Sequence, residues 1–308
     1  MTQRHPTVIT DQEIAIGLTP ARGASWMREA LVDAHHGRLH TPPRVSADLG
    51  DGRLVFTAGA LDGEWYGFRS YDSFGRDAGD QVIVIHDWYD GAVKAVAISN
   101  ELGPRRVGAI GAVAADVLAN PLATSLGLIG SGVQALAQLQ AVAAVRRLTD
   151  IAVFGRDPVR REAFCARANA LGIGAYPVES ARDAVAGKQL VLVATNSATP
   201  AIDPAWISPG AFVTTLGPKQ QGRAEFGPDL IARADLAVTD SIAQTHAYDP
   251  PYVLAGTPEH QRLVSLGAIV AGERPGRIDP DQVVVFCSVG LAGTEAYLLN
   301  RLVEHGVQ

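Results

Sequence analysis

The apolar positions along the chain keep two different rhythms, and the change between them divides it. In residues 20–34 they recur at helical spacing (Trp26, Ala30, Leu31) and stop at His35-His36-Gly37, which predicts a helix. Thr41-Pro-Pro-Arg44 is extended, because proline disfavours the α region for the residue before it. Four β-like runs follow at 53–58, 64–71, 81–86 and 92–98, separated by turn signals such as Leu61-Asp-Gly63 and Tyr89-Asp-Gly91. Short strands with no helix between them predict an antiparallel or mixed sheet. A helix over 105–119, stopped by Pro121, leads out of this region.

From Leu126 the rhythm becomes strand, helix, strand. Strands are predicted at 126–129, 151–154, 173–176, 190–194, 212–216 and 236–239, and helices at 133–147, 158–171, 181–186 and 228–234. Alternation at this spacing means a parallel, doubly wound sheet. A strand at 283–287 and a helix at 291–303 complete the pattern. The fold class is therefore α/β: a Rossmann-type doubly wound parallel sheet plus a smaller α+β unit before it.

The first strand of that sheet runs into Gly130-Ser131-Gly132-Val133-Gln134-Ala135 and then an alanine-rich helix. This order suits a dinucleotide pyrophosphate. Gly130 permits the tight turn, Gly132 keeps a Cβ out of the phosphates' way, and Ala135 lets the helix lie close to the sheet. The amides opening the helix, at the positive end of its dipole, face the anion. The second strand ends at Phe154-Gly-Arg156-Asp157-Pro158, where an NAD site carries an acid for the ribose hydroxyls and an NADP site a cation for the 2′-phosphate. Arg156 stands at the tip with Arg160 and Arg161 one turn on, while Asp157 is placed to cap the helix ahead of Pro158. NADP(H) is favoured over NAD(H).

Composition narrows the function classes. The 308 residues are 47% apolar and 19% charged, with a net charge of −6, which suits about two globular domains and offers no broad cationic surface for nucleic acid or anionic membrane. The two cysteines, Cys165 and Cys287, read as unpaired thiols of a reducing compartment. Met1-Thr-Gln-Arg-His-Pro6 has no apolar signal core and no apolar run approaches the length of a membrane span, so a soluble, cytoplasmic protein is expected. His35, His36 and His40 suggest a metal cluster only on paper. Neighbours on a helix point to different faces and no carboxylate stands at matching spacing, so no metal is expected.

Taken together, the residues resemble the ornithine cyclodeaminase/mu-crystallin family. The resemblance is carried, in order, by Pro43-Arg44, Leu102-Gly-Pro-Arg-Arg106-Val-Gly-Ala, Gly130-Ser-Gly-Val-Gln-Ala135, Ala194-Thr-Asn-Ser197, Leu216-Gly217, Glu225 before Asp229-Leu230, Pro275-Gly-Arg277 and Val285-Phe-Cys-Ser-Val-Gly-Leu291. It covers roughly residues 20–300. It implies a homodimer in which residues 1–118, with 289–308, form the substrate-binding and dimerisation domain beside a nucleotide domain at 119–288. It also implies hydride transfer at the α-carbon of an amino or imino acid.

The resemblance assigns roles residue by residue. Arg44 would bind the substrate carboxylate, for which a guanidinium fork is well shaped. Arg106 would lie near the nicotinamide and phosphates, and its neighbour Arg105 in solvent. Thr195, Asn196, Leu216, Gly217, Arg223 and Ser288 would line the cofactor, and Val289 the substrate. Two positions depart from the family pattern. Arg69 stands where a lysine is usual, so it is fit to bind a carboxylate but poor at exchanging protons. Lys219, in Gly217-Pro-Lys219-Gln-Gln-Gly-Arg223-Ala-Glu225, stands where cyclodeaminases carry an acid/base aspartate. That loss counts against ornithine cyclodeaminase, which needs a carboxylate to take protons. A desolvated Lys219 would instead be a proton donor for imine reduction, or else it points to solvent from a loop. Asp240 and Asp249 are given no chemistry. The expected function is an NAD(P)H-dependent imino-acid reductase or amino-acid dehydrogenase, with ornithine cyclodeaminase and a mu-crystallin-like binding protein as the alternatives.

Overall fold

The computed structural model describes residues 5–75 and 79–306. The first four residues of the segment read above for a signal core lie outside this range, as do the outermost residues of the domain that the resemblance implies. β1 (Thr7–Ile9) leads into α1 (Asp11–Gly17), and a capping box of Thr10 and Glu13 starts that helix. Thr19 caps α2 (Pro20–His35), with proline at the first helical position. Then come β2 (Leu39–His40), β3 (Val45–Asp48), β4 (Arg53–Leu61), β5 (Trp65–Asp72), β6 (Gln81–Asp87) and β7 (Val93–Ser99). They form a sheet in the order β1-β7-β6-β5-β4-β2, with β3 also on β4. The sheet is mixed, since β1 runs parallel to β7 and the other pairs are antiparallel.

α3 (Leu102–Leu118) is buried along most of its length and packs against α2 on one side. The second sheet follows: β8 (Ser125–Ile129), α4 (Val133–Val145), β9 (Asp150–Phe154), α5 (Pro158–Ala170), β10 (Ala175–Pro177), α6 (Ala181–Val185), β11 (Leu190–Val193) and β12 (Phe212–Thr215). A short hairpin, β13 (Lys219–Gln220) with β14 (Arg223–Ala224), precedes α7 (Pro228–Arg233), β15 (Leu236–Thr239), α8 (Ile242–His246), β16 (Leu263–Ser265), α9 (Leu266–Val270) and β17 (Val284–Cys287). The chain closes with α10 (Thr294–His305). The strands order as β10-β9-β8-β11-β12-β17-β15-β16, all parallel.

Two features of this topology build the site. β8 has β9 on one side and β11 on the other, so the chain reverses direction there and opens a crevice at the strands' carboxyl ends. β17, the last strand, inserts between β12 and β15, which brings three distant loops together at the same edge. One apolar core joins the inner face of the first sheet, α2, α3, α4 and α10 to one face of the second sheet, and another core fills that sheet's opposite face. α10 returns across the first sheet against β5, β6 and β7. Gly59 and Gly293 make that crossing possible, because a Cβ on either would run into the other's backbone.

The sequence reading differs from this fold in particulars. The third parallel strand begins at Ala175 rather than at residue 173, because Gly172 takes a positive φ and the chain turns there first. α3 begins three residues before the predicted start, and α10 three residues after it. β1, β3 and β16, and the hairpin that holds Lys219, are too short to give a periodic signal.

Candidate active site

The glycine turn follows β8 as expected. Gly130 has φ +120°, and a Cβ there would collide with the Ala194 carbonyl; Gly132 faces open space. Gly132 caps α4 without any side-chain hydrogen bond, so the first-turn amides are left for a ligand. A cleft of about 750 Å³ lies over them, lined by Gly130, Ser131, Gly132, Arg156, Arg160, Thr195 and Asn196 among others. Asp157 accepts from the Arg160 amide at 3.1 Å and caps α5, while Arg161 turns inward to Glu179. The turn and the cleft fit a dinucleotide: an anion finds bare amides, and a cation stands at the second strand's tip.

A second cavity, about 340 Å³, lies at the carboxyl ends of β12 and β17 against the first sheet. Gln134, Leu216, Gly217, Arg106 and Ser288, expected around the cofactor, line this cavity together with Arg44, Arg69, Lys219 and Val289. Val133 is exposed at the head of α4 and Arg223 on the hairpin, and neither lines either cavity. For Arg223 the reason is local: it pairs with Gln220 in a two-residue strand that turns its side chain outward.

Lys219 is not in solvent. It is 9% exposed, and its amine donates to the carbonyls of Leu216, at 3.0 Å, and Ser288. Its backbone is clamped as well, because its carbonyl accepts from the Val253 amide at 2.8 Å and its neighbour Gln220 bridges to Tyr252. Burial lowers the amine's pKa from 10.5 to about 8, and the Arg44 charge pushes the same way against the opposing carboxylates of Glu225 and Asp240. An ammonium has three N–H groups. The two carbonyls take two of these, which leaves the third for the cavity.

Three buried acids hold the walls without lining the cavity. Glu225 accepts from the amide and hydroxyl of Thr195, both at 2.8 Å, and from the amides of Leu216, at 2.8 Å, and Gly217, at 2.5 Å. It thereby ties the loop after β11 to the loop after β12, and burial holds its pKa above the usual carboxylate value. Asp240, given no chemistry from the sequence, follows β15 and accepts from the amides of Val289 at 2.7 Å and Gly290 at 2.9 Å. It fixes the loop after β17. Glu295, at the start of α10, receives Nη1 of Arg69 at 2.5 Å and Nε of Arg106 at 2.8 Å. Burial alone would raise its pKa; the Arg106 and Arg69 guanidiniums outweigh that and hold it below the usual value. Glu295 was missed, because nothing in the sequence links it to arginines 226 and 189 residues away.

Arg44 donates to the Val289 carbonyl and, at 3.2 Å, to the Tyr248 hydroxyl. Arg105 is half-buried rather than solvated, donating to Glu101 and the Leu18 carbonyl. The side chain of Asp249 is exposed, while its carbonyl receives Arg53 and Gln220. The histidine reading needs one correction. Glu273 supplies a carboxylate whose two oxygens meet His35 and His36 at 2.9 and 3.0 Å, from a position too distant in sequence to be noticed. Neighbouring histidines at the C-terminal end of α2 thus converge on one group.

A parallel sheet with a glycine turn at its switch point, beside a cation-lined cavity at its carboxyl edge, defines a dinucleotide-binding fold of the Rossmann type. The chain belongs to the ornithine cyclodeaminase/mu-crystallin family, whose model matches residues 5–305. It is 30% identical over 232 residues to an uncharacterised cyclodeaminase of Sinorhizobium fredii, covering 71% of this chain and 68% of that protein. It is 28% identical over 243 residues to a Δ1-pyrroline-2-carboxylate reductase of Bacillus cereus, covering 76% and 74%. In structure it is similar to the iminosuccinate reductase of Paracoccus denitrificans in complex with NAD+, with a TM-score of 0.88 and 25% identity over 98% of this chain and 96% of that one.

Proposed function

We propose that the protein is an NAD(P)H-dependent oxidoreductase that acts on the C–N bond of a small imino or amino acid. The observation that carries this reading is the Lys219 amine, buried in the wall of the smaller cavity, with its pKa brought to about 8. The names of the Bacillus and Paracoccus relatives, both imino-acid reductases, support it. A bound nicotinamide supplies the hydride. Arg44 holds the substrate carboxylate, and Lys219 gives a proton to the imine nitrogen as the carbon is reduced; in reverse it takes that proton back. No carboxylate lines the cavity among the described residues, which leaves a cyclodeaminase without its acid/base.

Arg156 at the cleft, with Asp157 occupied in capping, supports NADP(H) over NAD(H). We place residues 1–118 and 289–308 in a substrate and dimerisation domain, 119–288 in a nucleotide domain, and the protein in the cytoplasm. No helix among the described residues is long and apolar enough to cross a membrane. The test is oxidation of NADPH and of NADH with a panel of imino acids, including Δ1-pyrroline-2-carboxylate. Turnover with a lower KM for NADPH is expected. Conversion of ornithine to proline and ammonia without imine reduction, or cofactor binding without any turnover, would overturn the reading.

A further inference from the structure

Away from both cavities, the ends of two packed helices bring three metal-ligating side chains together. His35 is the last residue of α2, and His36 is its C-cap, with its amide donating to the Val32 carbonyl at 3.0 Å. Glu273 lies three residues past α9, where its own amide donates to the Ala268 carbonyl at 3.0 Å. The two helices are pressed close here: a Cβ on Gly267 would lie 2.9 Å from the Leu31 carbonyl and 3.1 Å from the His35 Cβ. Helix and turn hydrogen bonds therefore fix all three backbones independently of the side chains. Nε2 of His35 and Nε2 of His36 meet the two Glu273 oxygens at 2.9 and 3.0 Å, and one ligand atom from each residue lies within 4.8 Å of the other two. None of the three residues lines either cavity.

Two imidazole nitrogens and a carboxylate oxygen are a donor set that Zn2+ takes, and a tetrahedral ion with the usual bond lengths holds its ligand atoms about 3.3 Å apart. The separations here bracket that value, so side-chain rotation admits the ion. The place also suits a cation, because the carbonyl end of a helix carries negative partial charge and α2 is 16 residues long. In the absence of an ion each Nε2–H donates to a Glu273 oxygen, since a carboxylate only accepts. On binding, the hydrogen passes by way of water to Nδ1, and the Nε2 lone pair faces the metal. We propose that His35, His36 and Glu273 form a site for one divalent transition-metal ion of the zinc type, with water in the fourth position. The ion joins the two proposed domains, the histidines ending a helix of the first and Glu273 following a helix of the second. It pins them at a distance from Lys219 and takes no part in the hydride or proton steps.

The experiment uses the full chain without a histidine tag, stripped with a chelator and titrated with Co2+ and then Zn2+. One equivalent of Co2+ is expected to bind with the strong visible absorption of a four-coordinate ion, and Zn2+ to displace it. Zn2+ is also expected to raise the melting temperature, because it binds the folded chain. Glu273→Gln keeps the shape and removes the charge, and His36→Ala removes one ligand. Each is expected to weaken Zn2+ binding at least about tenfold and to cancel the rise in melting temperature. The metal-free melting temperature changes little, since only exposed pairs are lost. His40, paired with Asp62 at 2.7 Å, is the control, and His40→Ala is expected to bind Zn2+ as the parent does. Absence of stoichiometric binding at micromolar protein, or binding that survives unchanged in Glu273→Gln and His36→Ala, overturns the proposal. Neither result bears on the imino-acid reading, whose residues lie elsewhere.

Discussion

A buried lysine at the position where the family resemblance leads one to expect an aspartate changes which proton movements the site can perform. An aspartate is ionised at neutral pH and takes protons; the Lys219 ammonium, with a pKa of about 8, holds a proton to give. The sign follows from burial, which favours the neutral amine. Reduction of the imine needs the protonated form, so its kcat/KM is expected to fall as pH rises through about 8, while amine oxidation rises over the same interval. Lys219→Met is expected to slow reduction about a hundredfold or more and to remove that limb of the pH–rate profile. Lys219→Arg keeps a charge that does not titrate, and a profile retaining its limb near 8 in that variant would assign the ionisation elsewhere.

At the scale of elements, the site depends on the loops after β12, β15 and β17 keeping their spacing, and Asp240 is the tie between the last two. Asp240→Ala would leave the buried amides of Val289 and Gly290 without acceptors, at about 1–3 kcal/mol for each. A loss of about 3 kcal/mol in denaturant unfolding is expected, with a raised substrate KM because Val289 carries the Arg44 contact. A variant as stable as the parent would show that water replaces the carboxylate. Nothing about this was visible in the chain, since Asp240 and Val289 are neighbours only because β17 inserts beside β15. By contrast, the glycine turn, the alternation of strand and helix and the approximate extents of the long elements were legible, because each rests on periodicity or on contacts within a few residues. Lys219 could be named but not placed, since a two-residue strand has no pattern. Glu225 could be quoted but not understood, because its four donors come from two loops.

At the scale of the molecule, the outer face of the first sheet stands out. Val8, Val96, Val84, Phe68 and Ala58 line up across five strands, and Ile98, Val82, Ser70, Phe56 and Val45 form a second row beside them. Val8, Val45 and Ile98 are 64%, 66% and 59% exposed, so two almost wholly apolar rows face outward. A monomer seldom leaves such a contiguous patch in water, and a second copy of the same face is its natural cover, consistent with the proposed homodimer. Val84→Glu is expected to shift sedimentation from two chains to one; a parent protein that already sediments as a single chain would remove the proposal. The opposite face of the same sheet has a different dependence, because it is covered by α10, and α10 brings Glu295 to Arg69 and Arg106. The first sheet is thus completed by the last helix, across nearly the whole intervening chain. Contacts so far apart in sequence form slowly. On dilution from denaturant, binding of the dinucleotide is expected to return in an earlier phase than turnover, and coincident phases would mean that both sheets consolidate together. With the phases in that order, assembly would run against the direction of the chain, and turnover would wait for α10.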